Sequence, residues 1–397
     1  MRIQADWLET PQTKSVIAAL EAVRPDCVRF VGGCVRNWIM QRPIDDIDLA
    51  TQLEPQAVLA ALQAANIRAI PTGIEHGTVT AIVDGAPYEI TSLRRDVETD
   101  GRRAVVAFTQ DWAEDAQRRD FRLNALYAAP DGEVFDPTGG GLEDAEAGRV
   151  VFIGDGDERL REDYLRILRF FRFNAWYGAE IDADGLAACG RQVGGLKDIA
   201  RERRWKEFKK LLSAPNPVDA VAVMAETGVL EAVLPGHAGP DGLHDLYLTE
   251  TLVRSAPDPV LRMMALMKRS AESVQTVGEA LRLSNEELAR LTMWAADNLP
   301  DPVGLNGAEL RGVLYWHGVQ AVTDRAMLSG QDVRDILAAA RAWRRPDFPI
   351  DGDDALAIGL KGPAIGRALS RVAKAWVESD FSLTREALLA HLGSATD

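Results

Sequence analysis

Two aspartates two positions apart, Asp46 and Asp48, follow a double-glycine turn, Gly32-Gly33, within residues 30–51. On a strand, residues two apart point to one face. Both carboxylates are then presented together, while Ile47 and Leu49 face the opposite, buriable side. Neighbouring carboxylates repel and resist joint ionisation unless a cation lies between them. A donor set made only of oxygens favours magnesium. The glycines remove two side chains where the backbone must turn sharply, so N–H groups can approach a phosphate. Alone, each feature reads as an ordinary turn or a solvated strand end. Together, in one strand–turn–helix–strand unit, they point to a nucleoside triphosphate site.

A second set lies in residues 161–175, where Asp163, Arg166, Arg169 and Arg172 recur every three residues. Leu165, Leu168 and Phe171 form an apolar face, with Ile167 at its flank. The spacing predicts one helix in which each such step rotates back by about 60°. The charged row therefore winds along an extended ligand. An ionised aspartate only accepts hydrogen bonds and an arginine only donates them. Cytosine and adenine show an amino donor beside a ring-nitrogen acceptor; uracil and guanine show the reverse. Asp163 on the amino group and Arg166 on the ring nitrogen would admit C and A. They would reject U and G at about 1–3 kcal/mol per unpaired group, with no nucleic-acid template. Taken alone, ordinary i,i+3 salt bridges explain the row as well.

These groups need a scaffold. Residues 28–31 are apolar and β-favouring, and Val35, Trp38 and Ile39 recur at helical spacing. Residues 11–23 and 55–65 read as helices, the latter with proline in its first turn. Residues 67–70, 78–83 and 88–93 read as strands, with Asp84-Gly85 as a hairpin turn. Residues 94–103 are charged and read as a mobile loop. From Asn216 onward the pattern is helical, broken at proline pairs and Pro-Gly steps. The expected fold is a small mixed α/β head followed by an all-α remainder.

The chain of 397 residues is long enough for two to four units. Its 45 basic and 60 acidic residues leave a net charge of −15, so any RNA surface must be a local basic patch. Residues 201–210, RERRWKEFKK, supply one, with six basic side chains against two acidic and two aromatics between them. Cys27, Cys34 and Cys189 have no metal spacing and form no even framework, which fits a reduced, cytoplasmic setting. No signal-peptide core and no membrane-length apolar run is evident. His244-Asp245 lacks other ligands at metal spacing.

Gly32-Gly33-Cys34-Val35-Arg36-Asn37 followed by Asp46-Ile47-Asp48 resembles motif A of the class II nucleotidyltransferases, the CCA-adding enzymes and bacterial poly(A) polymerases. Residues 118–126 resemble the family's R-R-D-F-T-x-N-A, with Arg122 where threonine is usual. Residues 135–141 resemble its D-P-x-G-G turn, with one extra residue before the next acid. Glu162-Asp163-Tyr164-Leu165-Arg166 resembles E-D-x-x-R, and Glu202, Arg203 and Glu207 resemble E-R-x-x-x-E, a brace for the base-reading helix. Residues 359–367 resemble a tail signature, G-x-x-G-P-x-I-G.

The resemblance implies a nucleotidyltransferase head at 1–138, a helical base-reading neck at 139–212, a helical body at 213–345 and a tRNA-binding helical tail at 346–397. It implies addition of CCA to tRNA 3′ ends from CTP and ATP, with pyrophosphate leaving. Asp46 and Asp48 would hold two magnesium ions and carry catalysis. Gly33 and Arg36 would meet the triphosphate, and Arg119 a ribose or phosphate oxygen. Asp163 and Arg166 would read the base, with Arg169 and Arg172 also binding the nucleotide. Lys361, Arg367, Arg371 and Lys374 would face the RNA backbone. Glu89 stands where the family often carries an acid; it could assist the pair, hold an arginine, or be plain surface. A poly(A) polymerase, or an enzyme adding only C or only A, shares these motifs and is separated by sequencing product ends. A catalytically silent RNA-binding protein would show no metal-dependent incorporation. No protein partner is implied.

Overall fold

The computed structural model describes residues 1–100 and 103–393. They fall into two compact units, Met1–Val233 and Leu234–Asp397.

The first unit is built on a seven-stranded sheet. Its strands are β1 (Val28–Val31), β2 (Asp48–Thr51), β3 (Arg68–Gly73), β4 (Thr78–Val83), β5 (Ala86–Ser92), β8 (Tyr127–Ala128) and β9 (Val134–Phe135); β6 (Arg94–Asp100) and β7 (Arg103–Phe108) pair separately. The order is β3-β4-β5-β2-β1-β8-β9. Only the β2–β5 pair is parallel; the others are antiparallel. Alternation along each strand gives the sheet two faces. Phe30, Val79 and Ile90 are buried, as are Val16 and Leu20 of the Pro11–Glu21 helix and Val58 and Leu62 of the Pro55–Ala64 helix. On the other face Val31, Ala50, Leu93, Ala116 and Tyr127 form a second buried cluster. Asp48 shares its side of β2 with Ala50, so it belongs to this second face.

Three local expectations are corrected. The strand carrying the acid pair starts at Asp48, leaving Asp46 exposed in the loop before it. That loop is held from the preceding helix: the Asn37 side-chain amide donates to the Pro43 carbonyl at 2.6 Å, and the Arg42 N–H to the Asn37 carbonyl at 2.8 Å. Residues 94–100 are β6 and not a mobile loop; they pair with β7 from Arg94↔Phe108 to Asp100↔Arg103. Ladder bonds use only the backbone, so a charged composition does not prevent them. The expected mobility of residues 101–102 lies outside the described residues. The predicted single helix over 161–175 is two, Gly156–Glu162 and Leu165–Tyr177. Asp163 between them has extended backbone, and its carboxylate accepts the Leu165 N–H at 3.1 Å. An aspartate that binds the N–H two residues ahead forms a local turn that competes with the helical backbone.

The Leu165–Tyr177 helix packs against the helices Arg201–Leu212 and Val218–Glu226. Its aromatic side chains fasten it to the head. Phe121 lies 4.9 Å from Phe152 and 5.3 Å from Phe173, and Phe152 stacks on Phe170 at 5.5 Å between ring centroids.

The described secondary structure of the second unit is helical, from Asp241–Val253 to Arg385–Gly393. Prolines open the helices Pro259–Leu266 and Pro363–Glu378. One core gathers Tyr315, Val372, Trp376 and Leu388. A separate buried ion pair joins Arg262 to Glu250 at 2.6 Å, with side chains 2% and 4% exposed.

Candidate active site

β1 runs into the turn at Gly32, whose φ of +68° is a left-handed value that side chains resist. A Cβ at Gly32 would stand 3.7 Å from Arg119 Nη1, whereas one at Gly33 would meet nothing within 4 Å. The space over Gly33 is therefore open, and the Gly33–Ile39 helix starts at its edge.

Asp48 and Glu89 are register partners across β2 and β5. Burial pushes the Asp48 carboxyl up to about 6, and the carboxylates of Glu89 and Asp46 add to the rise. Arg119 and Arg36 pull it back. Three acids are thus close enough to repel, which is the electrostatic condition a cation relieves. Among the described residues, no three His, Cys, Asp or Glu side chains are arranged to hold a metal by themselves. The donor set fits a hard divalent cation held by one or two carboxylates and completed by substrate oxygens.

The arginines expected at the triphosphate differ in setting. Arg36 is buried. Its guanidinium donates to Asn124 Oδ1 at 2.5 Å, Asn37 Oδ1 at 2.8 Å and the Tyr177 hydroxyl at 2.9 Å, and lies 4.2 Å over the Tyr177 ring. It ties the Gly33–Ile39 helix to Asn124 and to Tyr177. Arg119 is partly open, beside Gly32, and donates to Asp115 Oδ2 at 3.1 Å and to the Tyr127 hydroxyl at 3.3 Å.

Every member of the charged row has a carboxylate or arginine partner, and for all but Arg166 it comes from another segment. Asp163 accepts from Arg203 at 2.7 Å, and Arg172 donates to Glu207 at 2.6 Å. The Arg201–Leu212 helix therefore grips the charged row twice. Arg169 pairs with Asp120 at 2.5 Å, and Arg166 pairs with Glu162 instead of Asp163. Arg166 also donates to the Arg118 carbonyl at 3.3 Å, and Arg159 to the Arg119 carbonyl at 3.3 Å. Residues 118–120 thus bond to the neck through the Arg118 and Arg119 carbonyls and Asp120, while the Arg119 guanidinium lies beside the glycine turn. Asp120 also accepts from Asn124 at 3.0 Å, across a tight 3₁₀ turn and not an α-helical face.

Arg122 donates to Asp144 at 2.6 and 3.0 Å, which commits it to the Gly141–Ala147 helix. Asp136 accepts N–H groups of Gly139, Gly141 and Leu142, forming the turn that leads there. In the second unit Lys361, Arg367, Arg371 and Lys374 are all exposed at and along the Pro363–Glu378 helix. Sequence reasoning missed Asp115, Tyr127 and Tyr177. Asp115 was discoverable, since it precedes Arg118 and Arg119 at helical pair spacing. Tyr127 and Tyr177 carry no local signal, because their partners lie elsewhere in the fold.

The poly A polymerase head domain family matches residues 28–151, and the probable RNA- and SrmB-binding site of polymerase A matches residues 178–239. A CCA-adding enzyme of Limosilactobacillus fermentum is 34% identical over 418 residues, covering 99% of each chain. The mitochondrial CCA tRNA nucleotidyltransferase 1 of Danio rerio is 31% identical over 384 residues, covering 93% of this chain and 87% of its own. The chain belongs to the class II nucleotidyltransferase family of CCA-adding enzymes. Its fold agrees with that membership. The Bacillus stearothermophilus CCA-adding enzyme in complex with CTP superposes with a TM-score of 0.75 at 24% identity, covering 97% of this chain and 98% of that one. No helix among the described residues is long and apolar enough to cross a membrane.

Proposed function

We infer that this protein adds CCA to tRNA 3′ ends, taking CTP and ATP without a template and releasing pyrophosphate. Full-length relatedness to CCA-adding enzymes supports the activity. The observation that carries the site is the 118–120 segment, which places Arg119 beside the Gly32 turn and is bonded to the base-reading segment through Arg159, Arg166 and Arg169. Catalytic acids and base reader are thereby coupled within one unit.

Asp46 and Asp48 hold the divalent cation the family generally uses, here magnesium. When bound, that ion stabilises charge on the transferring phosphate and lowers the pKa of the attacking RNA hydroxyl. Gly33 offers its backbone to the triphosphate, and Arg119 its open guanidinium edge. Arg36 acts on the same group by fixing the helix that follows the turn to Asn124 and Tyr177. Asp163 and Arg166 choose C or A, with Arg169 and Arg172 keeping the row in register. We keep the division into a head at 1–138, a neck at 139–212, a body at 213–345 and a tail at 346–397 as part of this proposal, with Lys361, Arg367, Arg371 and Lys374 facing the RNA backbone. The buried free thiols Cys27, Cys34 and Cys189 support a cytoplasmic, reducing setting.

The experiment is incorporation into tRNA lacking its 3′ end, with magnesium and each of the four nucleotides. C, C, then A are expected. Asp46→Asn should retain the fold and lose roughly a thousandfold in rate, since several kcal/mol of charge stabilisation goes with the metal. Full transfer by that variant would remove Asp46 from the site.

A further inference from the structure

We propose that Asp115 and Tyr127 are positioning residues that aim Arg119 at the incoming triphosphate; this rests on the reading of Arg119 given above. A guanidinium has five N–H donors in a rigid fork. Three of those of Arg119 are spoken for. Nε donates to the Tyr127 hydroxyl at 3.3 Å, Nη2 to Asp115 Oδ2 at 3.1 Å and Nη1 to the Asn124 carbonyl at 3.5 Å. One N–H on each terminal nitrogen remains, and Nη1 is the atom beside the Gly32 turn.

The two supports are themselves locked. Asp115 is 1% exposed and Tyr127 is fully buried. The Tyr127 hydroxyl donates to Asp115 Oδ2 at 2.6 Å, and Trp112 meets its ring edge-on at 5.4 Å. Asp115 Oδ1 accepts from Arg118 Nε at 2.8 Å and Nη2 at 2.7 Å, and from the Arg94 N–H at 3.2 Å. The carboxylate cannot turn without breaking bonds to four groups. Burial alone would raise its pKa, but the Arg119 and Arg118 guanidiniums and the Tyr127 hydroxyl hold it down at about 2, so it stays ionised. Arg94 opens β6, so the root of the β6–β7 hairpin hangs from the same carboxylate that steers Arg119.

Tyr127→Phe deletes one hydroxyl and keeps the ring. Its effect on the KM for CTP is measured alone and in an Arg119→Ala background, using tRNA lacking its 3′ end. A lost hydrogen bond to a charged group predicts a rise of roughly tenfold with Arg119 present. With Arg119 gone, Tyr127→Phe should change KM less than twofold, because there is nothing left to aim. An equal rise in both backgrounds, or none with Arg119 present, overturns the proposal. Should Tyr127→Phe fail to fold, Asp115→Glu carries the same cycle. If the wild-type protein incorporates nothing, the functional reading fails; the cycle run on CTP binding by titration calorimetry still decides the role of the pair.

Discussion

Replacing Asp163 by asparagine separates base reading by a fixed carboxylate from simple helix bracing. In the structure its two oxygens face different donors, the Leu165 N–H at 3.1 Å and the Arg203 guanidinium at 2.7 Å. An amide has the same shape but only one carbonyl oxygen. The charged bond is the stronger, so that oxygen should stay on Arg203, and the new NH₂ replaces the other acceptor. A cytosine or adenine amino group then meets a donor where it needs an acceptor, at a cost of about 1–3 kcal/mol, or roughly 5- to 150-fold. The carbonyl of uracil or guanine, previously facing an acceptor, gains. The kcat/KM ratios of CTP over UTP and of ATP over GTP should therefore fall by roughly tenfold or more. The assay is single-nucleotide incorporation into tRNA lacking its 3′ end, for C against U, and into tRNA ending in CC, for A against G. Thermal melting confirms that the variant is folded. Ratios unchanged within twofold in a folded, active variant would show that Asp163 does not read the base.

Two further outcomes follow from the ion pairs. Arg122→Thr removes both bonds to Asp144 and leaves Arg149, at 3.3 Å, as its remaining arginine partner; urea denaturation should show a loss of about 1–3 kcal/mol. The KM values for CTP and ATP should stay within twofold, and a tenfold change would mean that Arg122 meets the nucleotide. Glu250→Gln replaces the carboxylate paired with the Arg262 guanidinium, 2% exposed, by a neutral amide and should cost about 1.5–3 kcal/mol in denaturation of the second unit. A loss below about 1 kcal/mol would mean that surrounding groups already compensate that charge.

Much of the head is written in short-range pattern. The Asp84-Gly85 turn has positive φ at both positions, 50° and 83°, as its dipeptide predicts. β4 spans the expected residues, and the Pro55–Ala64 helix ends within one residue of expectation. Periodicity failed where a side chain competed with the backbone. Asp163 kept helical spacing in sequence, yet its carboxylate binds the Leu165 N–H in a local turn between the two helices. The pairing of residues 94–100 was invisible because ladder bonds are made by groups common to every residue.

By itself the sequence determined the candidate groups: the acid pair, the glycine turn, the Asp–Arg row and the helix that follows Gly362. Those depend on residue type and on spacings within a few positions, which local geometry translates directly. Only the tertiary structure decided which charges are free to act. Arg36 became a buried brace while Arg119 stayed partly open, and Arg166 chose Glu162 over Asp163. An arginine's partner is set by whichever carboxylate the fold brings within about 3 Å in a desolvated place, and that carboxylate can stand anywhere along the chain.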